Sequence, residues 1–546
     1  MKKLYILILI IFFGAFLRYY NINWDSFKAF HPDERNISWA VTRIRFWNQL
    51  NPQFFAYGGL PVYLYRALGE GVIRVTHNPE WLADWGRIAV IGRCVSATLS
   101  TISILLIYLV GAAYFTPTVG LLAAALLTFS PWAIQQAHFE TTETMLVFFL
   151  LAMTLVSHRL CKKLNRRSVI QLGLLWGLAL SAKTTAILFG VIPLLTIWLS
   201  HPPKKFFKKI VSTFLLCAIA TFIFFIFSPY TILDFTHFSQ SMTYESGVAL
   251  GHFTVPYTLQ FLHTTPYLYQ METMLWQAGP LTLIGFIGLI GMFIQILKKI
   301  KIFFHSPITI QYSILLVFPL LYFGWVGSWF AKFNRYNVPF LPFVTLVAAW
   351  VCIHFIKRFR VSGLAFTAVL LCVTYVWGLA NWTVYLRPQT RFTATEWIFS
   401  HIPAGANIYT EHWNDGLPLD LPNAIPYRRE LLTVYDQDND AKKTYYADKL
   451  VIGDFIILST RRMWATMPNL GEKYPLTKLF YERLLNGTLG YKEVATFTSY
   501  PQLFGITIND DIAEESIQVF DHPTVRIFQN VGHYSHDQLM KLLSVN

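Results

Sequence analysis

Long apolar stretches alternate with short polar loops over the first 380 residues of the chain. A helix needs roughly twenty mostly apolar residues to cross a bilayer. The first stretch, 4–20, follows Met1-Lys2-Lys3 and has no convincing small-residue cleavage site, so we interpret it as a retained helix. Further candidates lie at 88–110, 118–136, 142–158, 168–182, 184–200, 209–228, 279–297, 308–328, 336–355 and 361–380. The pattern predicts about eleven transmembrane helices.

The basic residues predict how these helices are oriented. Lys and Arg cluster after every second span, at 159–167, 204–209, 298–301 and 357–360, whereas 228–278 contains neither. Because cytoplasmic loops carry the excess of Lys and Arg, the two long loops 21–87 and 228–278 and the tail from Asn381 are predicted to be extracytoplasmic. The region of Glu140 and the break at Lys183 fall on that same side. If one long helix instead ran through Lys183, the predicted orientation of every later span would be reversed.

Composition narrows the class of protein. Of the 546 residues, 54% are hydrophobic and 14% are charged, which is too apolar for a soluble domain. The net charge of +14 does not indicate nucleic-acid binding, because Lys and Arg are spread over short loops. The five cysteines form no CxxC motif and predict neither a disulfide framework nor a metal site. We predict a multi-pass protein of the plasma membrane.

The chain changes character near residue 380. Before it, the aromatic stretches 37–47 and 60–73 in the first outer loop are too short to span and are predicted to lie along the membrane interface. After it, β-like runs occur at 407–410, 450–459, 494–499, 504–508 and 524–528, with helical stretches at 393–401 and 478–485. We predict a polytopic α-helical membrane domain over 1–380, with a long first outer loop at 21–87, and a soluble extracytoplasmic α/β domain over 381–546.

The stretch Phe30-His31-Pro32-Asp33-Glu34-Arg35 is the strongest candidate for chemistry. Pro32 suits the first turn of a helix, and Asp33 and Glu34 would share that turn, where the helix dipole favours negative charge. A carboxylate held there could act as a general base on a hydroxyl group. Taken alone, the spacing favours a simpler interpretation, in which the two acids cap a surface helix.

Further ionisable residues fall at the same predicted membrane face, namely Glu140, Glu143, Lys183, Lys332 and Arg335. Glu143 fits a capping position, so Glu140 is the better candidate for orienting a hydroxyl or a cation. Lys183 could extend from a helix end to the headgroups, but its ammonium would also suit a lipid phosphate. Arg335 is either an interfacial anchor or a bidentate phosphate ligand.

A carboxylate base and two cations at one membrane face are the minimum needed to move a sugar from a lipid phosphate to a hydroxyl group. The base makes the acceptor oxygen nucleophilic, and the cations stabilise charge on the departing phosphate. A single inverting displacement needs only one base. The residues therefore favour a glycosyltransferase.

These motifs resemble the GT-C superfamily of polyprenyl-phosphate-dependent glycosyltransferases, in the branch with protein O-mannosyltransferases and lipid A aminoarabinose transferases. No Trp-Trp-Asp-Tyr-Gly motif is present in the sequence, which argues against oligosaccharyltransferases that use pyrophosphate-linked glycans. The shared residues are Asp33-Glu34, His138-Phe139-Glu140, the stretch from Gly177 to Lys183, Arg335-Tyr336, Pro339 and Pro342.

The resemblance implies a role for each matched residue. Asp33 corresponds to the catalytic base, with Glu34 in support, and Glu140 to a second acid near the acceptor, where mannosyltransferases often have Asp. Lys183 and Arg335 correspond to ligands of the carrier phosphate. The other residues assigned to substrate binding are His31, His138, Lys332 and Tyr336.

Two other functions stay open at this point. A transporter or flippase for lipid-linked sugars would explain the spans, although it favours charged or broken helices near mid-membrane. A scaffold that binds a partner through its outer domain has little use for the acids and cations. The expected partners are membrane lipid, a polyprenyl-phosphate-linked donor and a lipid, glycan or protein acceptor, with no nucleic acid. No cofactor is certain, although the carboxylates could recruit a divalent cation.

Overall fold

The computed structural model describes residues 2–298, 307–422 and 424–544, and the chain forms two compact units. The first unit comprises Met1–Phe253 and Thr264–Trp382, and the second comprises Thr254–His263 and Thr383–Asn546. The second unit thus includes a ten-residue piece of the long uncharged loop, 254–263, in addition to the C-terminal region.

The first unit is helical. Its helices are α1 (Lys2–Tyr19), α2 (Pro32–Arg43), α3 (Gly59–Thr76), α4 (Trp85–Tyr114), α5 (Pro117–Thr128), α6 (Pro131–Ala137), α7 (Glu143–Lys162), α8 (Arg166–Ala182), α9 (Val191–Leu199), α10 (Phe206–Phe227), α11 (Tyr230–Leu233), α12 (Phe235–Leu250), α13 (Leu268–Ala278), α14 (Leu281–Lys298), α15 (Pro307–Val326), α16 (Leu341–Phe359) and α17 (Val361–Trp382).

Six helices in the described part of the chain are long and apolar enough to cross a membrane: α4, α7, α10, α14, α16 and the helix that begins at Val361. A seventh candidate is the pair α5 and α6, which is bent by 60°. The predicted span 118–136 is therefore broken, at a place where Pro131 begins the second helix and cannot continue the first. The predicted total of about eleven spans stays a prediction.

The break predicted at Lys183 is confirmed. Helix α8 ends at Ala182, and Lys183 has an extended backbone with φ −156° and ψ 132°. A 3-10 helix follows over Thr184–Gly190, so regular α-helix resumes only at α9.

Helices α2 and α3 occupy the first long loop. The predicted helix start at Pro32 is confirmed. We expected both stretches to lie along the membrane interface, but each buries one face within the protein. Ile37 and Val41 of α2, like Val62 and Tyr65 of α3, have no exposed surface. The loop is therefore part of the core of the first unit.

The second unit combines helices with a five-stranded sheet. Its elements are α18 (Thr390–His401), β1 (Asn407–Glu411), β2 (Arg428–Leu432), α19 (Asp440–Ile452), β3 (Phe455–Leu458), α20 (Pro475–Leu485), β4 (Tyr491–Phe497), β5 (Gln502–Leu503), β6 (Ile506–Thr507), β7 (Val525–Asn530) and α21 (His536–Leu542).

The sheet order is β2-β1-β3-β7-β4. Strands β2, β1 and β3 are parallel, and β7 is antiparallel to both β3 and β4. A C-terminal α/β region was predicted and is present. The predicted run 450–459 shortens to β3 because residues 450–452 complete α19. Strand β2 was missed because Arg-Arg-Glu-Leu-Leu is an exposed edge without apolar alternation.

Candidate active site

Asp33 stands at the beginning of α2 and contacts Arg335 from a distant part of the chain. Pro32 is the first helical residue, and the Asp33 amide donates a hydrogen bond to Nδ1 of His31 at 3.2 Å. Arg335 lies in a 3-10 turn over Asn334–Asn337, and its Nη1 is 2.9 Å from Oδ2 of Asp33. The side chains of Asp33 and Arg335 are 17% and 20% exposed, so the ion pair retains contact with solvent.

Lys183 forms a second ion pair, with Glu143. The lysine Nζ donates a hydrogen bond to Oε1 of Glu143 at 2.8 Å. Glu143 is the first residue of α7, and its side chain is 1% exposed. Its other oxygen, Oε2, has no hydrogen-bond partner among the described residues.

Two tyrosines connect these ion pairs. Tyr57 lies beside the Asp33 carboxylate and contributes to the lowering of its pKa. The Lys183 Nζ lies 5.3 Å from the centroid of the Tyr57 ring and 5.8 Å from that of Tyr336, within the range of cation–π attraction. The Arg335 guanidinium lies 5.7 Å from the Tyr336 ring. We call this set the Asp33 cluster; its members are Asp33, Tyr57, Glu143, Lys183, Arg335 and Tyr336.

Two glycines allow Tyr57 to reach this position. A Cβ atom on Gly58 would lie 1.9 Å from the carbonyl oxygen of Ser181, at the end of α8. A Cβ atom on Gly59 would lie 2.2 Å from the carbonyl oxygen of Phe227, at the end of α10. Such backbone contacts leave no room for a side chain, so the loop that carries Tyr57 packs closely against both helix ends.

The electrostatics of the Asp33 cluster keep its base charged. Burial alone would raise the pKa of Asp33, but Arg335, with smaller contributions from Tyr57 and Lys183, lowers it below its usual value. Burial lowers the pKa of His31, so its ring is neutral at physiological pH. The unprotonated Nδ1 can therefore accept the hydrogen bond from the Asp33 amide. An ionised Asp33 can take a proton from a bound hydroxyl group.

Glu34, the predicted partner of Asp33 in catalysis, contacts different residues. Arg93 makes four hydrogen bonds of 2.6–2.9 Å, two to Glu34 and two to Asp25. None of the three side chains has any exposed surface, and the guanidinium lies 4.6 Å from the Trp24 ring centroid. We call Asp25, Glu34, Arg93 and Glu140 the Arg93 network. Glu34 is therefore held in the protein interior, away from solvent.

Glu140 belongs to this network as well. Its amide donates to Oε1 of Glu34 at 2.7 Å, and its Oε2 accepts from the Ser38 hydroxyl at 3.0 Å. Burial, and then the charge of Glu34, raises the pKa of Glu140 well above its usual value. The sequence favoured Glu140 over Glu143 for the site, whereas in the structure Glu143 is the one that joins Asp33 and Lys183.

Two other predicted ligands contact the protein backbone. Both ring nitrogens of His138 lie against carbonyl oxygens, of Ile134 at 2.9 Å and of Tyr20 at 3.0 Å. The Lys332 Nζ donates to the Phe330 carbonyl at 2.8 Å, and burial lowers the pKa of Lys332 to about 8. The structure therefore brings together Asp33, Lys183, Arg335 and Tyr336 of the predicted set, with His31 alongside.

Sequence reasoning missed several residues that complete the site. Tyr57 resembles any buried aromatic residue, although the Gly58-Gly59 pair after it was a usable signal. Arg93 was a stronger one, because an ionisable residue in an apolar stretch usually has a partner. Glu245 on α12 lies in the field of the Asp33 cluster: burial raises its pKa, Arg335 opposes that change and Asp33 adds to it.

The described residues contain no group of three or more His, Cys, Asp or Glu side chains arranged to hold a metal ion. The cations that face Asp33 are the side chains of Arg335 and Lys183.

Comparison with known proteins identifies one family. Residues 86–232 match the family described as dolichyl-phosphate-mannose-protein mannosyltransferase. This range includes Arg93, Glu140, Glu143 and Lys183. No curated protein matches the chain by sequence.

Solved structures share the fold. The Archaeoglobus fulgidus oligosaccharyltransferase tethered to an acceptor peptide superposes with a TM-score of 0.51 at 12% identity, over 97% of this chain and 88% of that one. Its apo form gives the same TM-score and identity, over 93% and 75%. ArnT from Cupriavidus metallidurans with undecaprenyl phosphate gives 0.46 and 12%, over 86% and 94%. The resemblance to GT-C glycosyltransferases is confirmed.

Proposed function

We propose that the chain transfers a sugar from a polyprenyl-phosphate carrier to a hydroxyl acceptor by a single inverting displacement at the extracytoplasmic membrane face. One observation carries the proposal. Asp33, Lys183 and Arg335 come from sequence positions up to 302 residues apart, yet they meet in one partly solvent-accessible cluster.

In this reaction Asp33 is the general base. The acceptor hydroxyl attacks the anomeric carbon of the sugar, and its proton passes to the Asp33 carboxylate. The bond between the anomeric carbon and the phosphate oxygen breaks, which releases polyprenyl phosphate. Attack from the face opposite the leaving group inverts the anomeric configuration. The lowered pKa of Asp33 supports this role because it keeps the base ionised.

Arg335 and Lys183 bind the carrier phosphate. An Arg guanidinium can hold two phosphate oxygens at once, and a Lys ammonium adds a point charge. The Nε of Arg335 has no hydrogen-bond partner among the described residues, so the guanidinium retains a donor for a ligand. Both cations already neutralise carboxylates, Asp33 and Glu143, in the absence of substrate.

The direction of helix α16 supports the membrane face that we propose for the Asp33 cluster. This helix begins six residues after Arg335 and carries Lys357 and Arg358 in its last turn. Its 19 residues correspond to a rise of ~28 Å, about the thickness of the hydrocarbon core. Because the basic end of a span prefers the cytoplasm, this orientation of α16 supports an extracytoplasmic Asp33 cluster.

The matched family suggests the substrates. Its description names dolichyl-phosphate mannose as the donor and a protein as the acceptor. We therefore propose a polyprenyl-phosphate-linked hexose or pentose as donor. The acceptor is a hydroxyl group of a protein, a glycan or a lipid.

The test is transfer from a labelled polyprenyl phosphomannose into the protein, glycan and lipid fractions of membranes that contain the chain. We expect Asp33→Asn to reduce transfer by about 10²–10⁴-fold, the usual contribution of a general base. Binding of polyprenyl phosphate should persist in Asp33→Asn and be lost in Arg335→Ala. Asp84→Asn is the matched control, because Asp84 caps α4 with its carboxylate and Asn caps equally well. Full transfer by Asp33→Asn would defeat the assignment.

A further inference from the structure

The parallel part of the second unit's sheet has a topological switch point, where the connections leave in opposite directions. We call the region outside the carboxyl ends of β1 and β3 the crevice. Strand β1 pairs with β2 on one side and with β3 on the other. The chain passes from β1 to β2, and then through α19 to β3. In open α/β sheets, ligands bind outside the carboxyl ends of the strands at such a switch point.

The carboxyl ends of β1 and β3 carry a continuous set of polar side chains. Glu411, the last residue of β1, is 1% exposed and accepts hydrogen bonds from Tyr481 and from Asn414, the latter at 2.8 Å. Asn414 in turn accepts from the Thr460 hydroxyl, just after β3, at 2.8 Å. Arg462 approaches the same end and donates to the Trp413 carbonyl at 3.5 Å. The two strand ends are thus joined by amide, hydroxyl and carboxyl groups.

Several polar atoms at these strand ends have no partner. Ser459 is the first residue after β3 and is fully buried, yet its hydroxyl makes no hydrogen bond within the described residues. The same holds for the Nε of Arg461, a side chain that is 6% exposed, and for the Tyr435 hydroxyl beyond β2. Unsatisfied buried donors are costly, and a recurrent reason for them is a ligand or water that supplies the missing partner.

An aromatic ring stands beside this polar set. Trp413 is 53% exposed although its neighbours in sequence are buried or half-buried, and it has a positive φ of 74°. Its ring meets Tyr435 edge-on, with centroids 6.5 Å apart. A bulky residue at positive φ stores strain, and such strain clusters at ligand sites. Tryptophan combines a large apolar face with little conformational entropy, which suits it to a flat apolar ligand face.

The chemistry of the crevice matches one class of ligand. Sugars present hydroxyl groups that both donate and accept hydrogen bonds, and a ring face of C–H groups that packs on aromatic rings. Burial raises the pKa of Glu411 to about 8, against the opposing effect of Tyr481 and Asn414. Arg462 is paired with Glu515 at 3.0 Å, so it offers hydrogen-bond donors at this end of the sheet with little net charge.

We infer that the second unit contains a carbohydrate-binding site at the carboxyl ends of β1 and β3, with Trp413 as the stacking platform and Asn414, Arg462 and Glu411 as hydroxyl partners. The site is separate from the Asp33 cluster and does not rest on the transfer reaction.

The test is saturation-transfer NMR on the purified full chain with methyl mannoside, methyl glucoside and N-acetylglucosamine as probes. We expect transfer to the ring C–H protons of at least one sugar, with a Kd of about 1 mM, equivalent to ~4 kcal/mol. Trp413→Ala should abolish the signal, and Asn414→Ala should weaken it at least fivefold. Trp47→Ala is the matched control, because Trp47 is 95% exposed, also has a positive φ of 73° and lies in the first unit.

Arg335→Ala, which should lose binding of polyprenyl phosphate at the donor site, should leave the sugar signal of the second unit unchanged, and this result separates the two sites. The inference is overturned if no probe receives magnetisation, if Trp413→Ala retains the full signal, or if Trp47→Ala removes it. Displacement of every sugar by a serine-containing peptide that binds through Trp413 would assign the crevice to a protein acceptor and overturn it as well.

Discussion

Arg93 is expected to be the side chain on which the geometry of the first unit most depends. Its guanidinium is the positive group that pairs with Asp25 and Glu34, both fully buried. Replacing Arg93 with Met keeps the volume but leaves two carboxylates in a medium where an isolated charge is expensive. Removal of one partner from a buried ion pair typically costs 3–5 kcal/mol. We expect Arg93→Met to lose about that much free energy of unfolding.

The same helix supplies the matched control. Arg87 also lies in α4, but it pairs with Glu80, whose side chain is 60% exposed. An exposed pair contributes about 0–1 kcal/mol, so Arg87→Met should unfold close to the wild type. Unfolding is measured in mild detergent with increasing sodium dodecyl sulfate, followed by circular dichroism.

A triple variant separates charge from shape. With Asp25→Asn and Glu34→Gln added to Arg93→Met, the two carboxylates that lost their cation are neutral as well, and most of the lost free energy should return. Sugar transfer should not return with it, because Glu34 directly follows Asp33 in α2 and a displacement of Glu34 moves Asp33. A shift of 1 Å can cost ~10²-fold in rate. Equal stability of the Arg93 and Arg87 variants would refute this reasoning, and so would a triple variant no more stable than the single one.

Two further predictions concern other ion pairs. Lys183→Ala should leave Glu143 buried without its cation and abolish binding of polyprenyl phosphate, whereas Lys183→Arg should restore part of it; unchanged binding in vesicles by the Ala variant would exclude Lys183 as a phosphate ligand. In the second unit, burial alone would lower the pKa of His522, but Asp521 and Asp510 raise it to about 10. Because this folded pKa exceeds the ordinary value of 6.5, the stabilisation is complete below pH ~6.5 and is lost as the pH rises through about 10. The difference in thermal unfolding midpoint between wild type and His522→Gln should therefore shrink between pH 7 and pH 10.5, and a constant difference would contradict it.

The sequence was informative where a local rule determines the structure. Pro32 followed by two acids predicted the start of α2, and the polar interruption at Lys183 predicted the end of α8. The grouping of Asp33, Lys183 and Arg335 was predicted from the membrane face to which each loop was assigned. This assignment has only two possible outcomes for each loop, so it needs no knowledge of tertiary packing.

The sequence was uninformative where partners are chosen by tertiary packing. Glu140 and Glu143 are three residues apart and chemically identical, and only the positions of Arg93 and Lys183 decide which one joins Asp33. Their difference arises because α7 begins at Glu143, while Glu140 lies before the helix and packs against Gly92, where a Cβ atom would lie 2.1 Å from the Glu140 Cγ. Tyr57 gave no chemical signal, since its role depends on the backbone contacts of Gly58.

The ion pair between Asp33 and Arg335 has a consequence for the order of events in catalysis. If Arg335 binds the carrier phosphate, its ion pair with Asp33 weakens. The pKa of Asp33 then rises, so the carboxylate becomes a stronger base. The resting enzyme would then hold its base in a weak form, and the lipid-linked donor would activate it on arrival. This coupling predicts ordered kinetics, in which the donor binds before the acceptor. It also predicts slow hydrolysis of the donor by water when no acceptor is present.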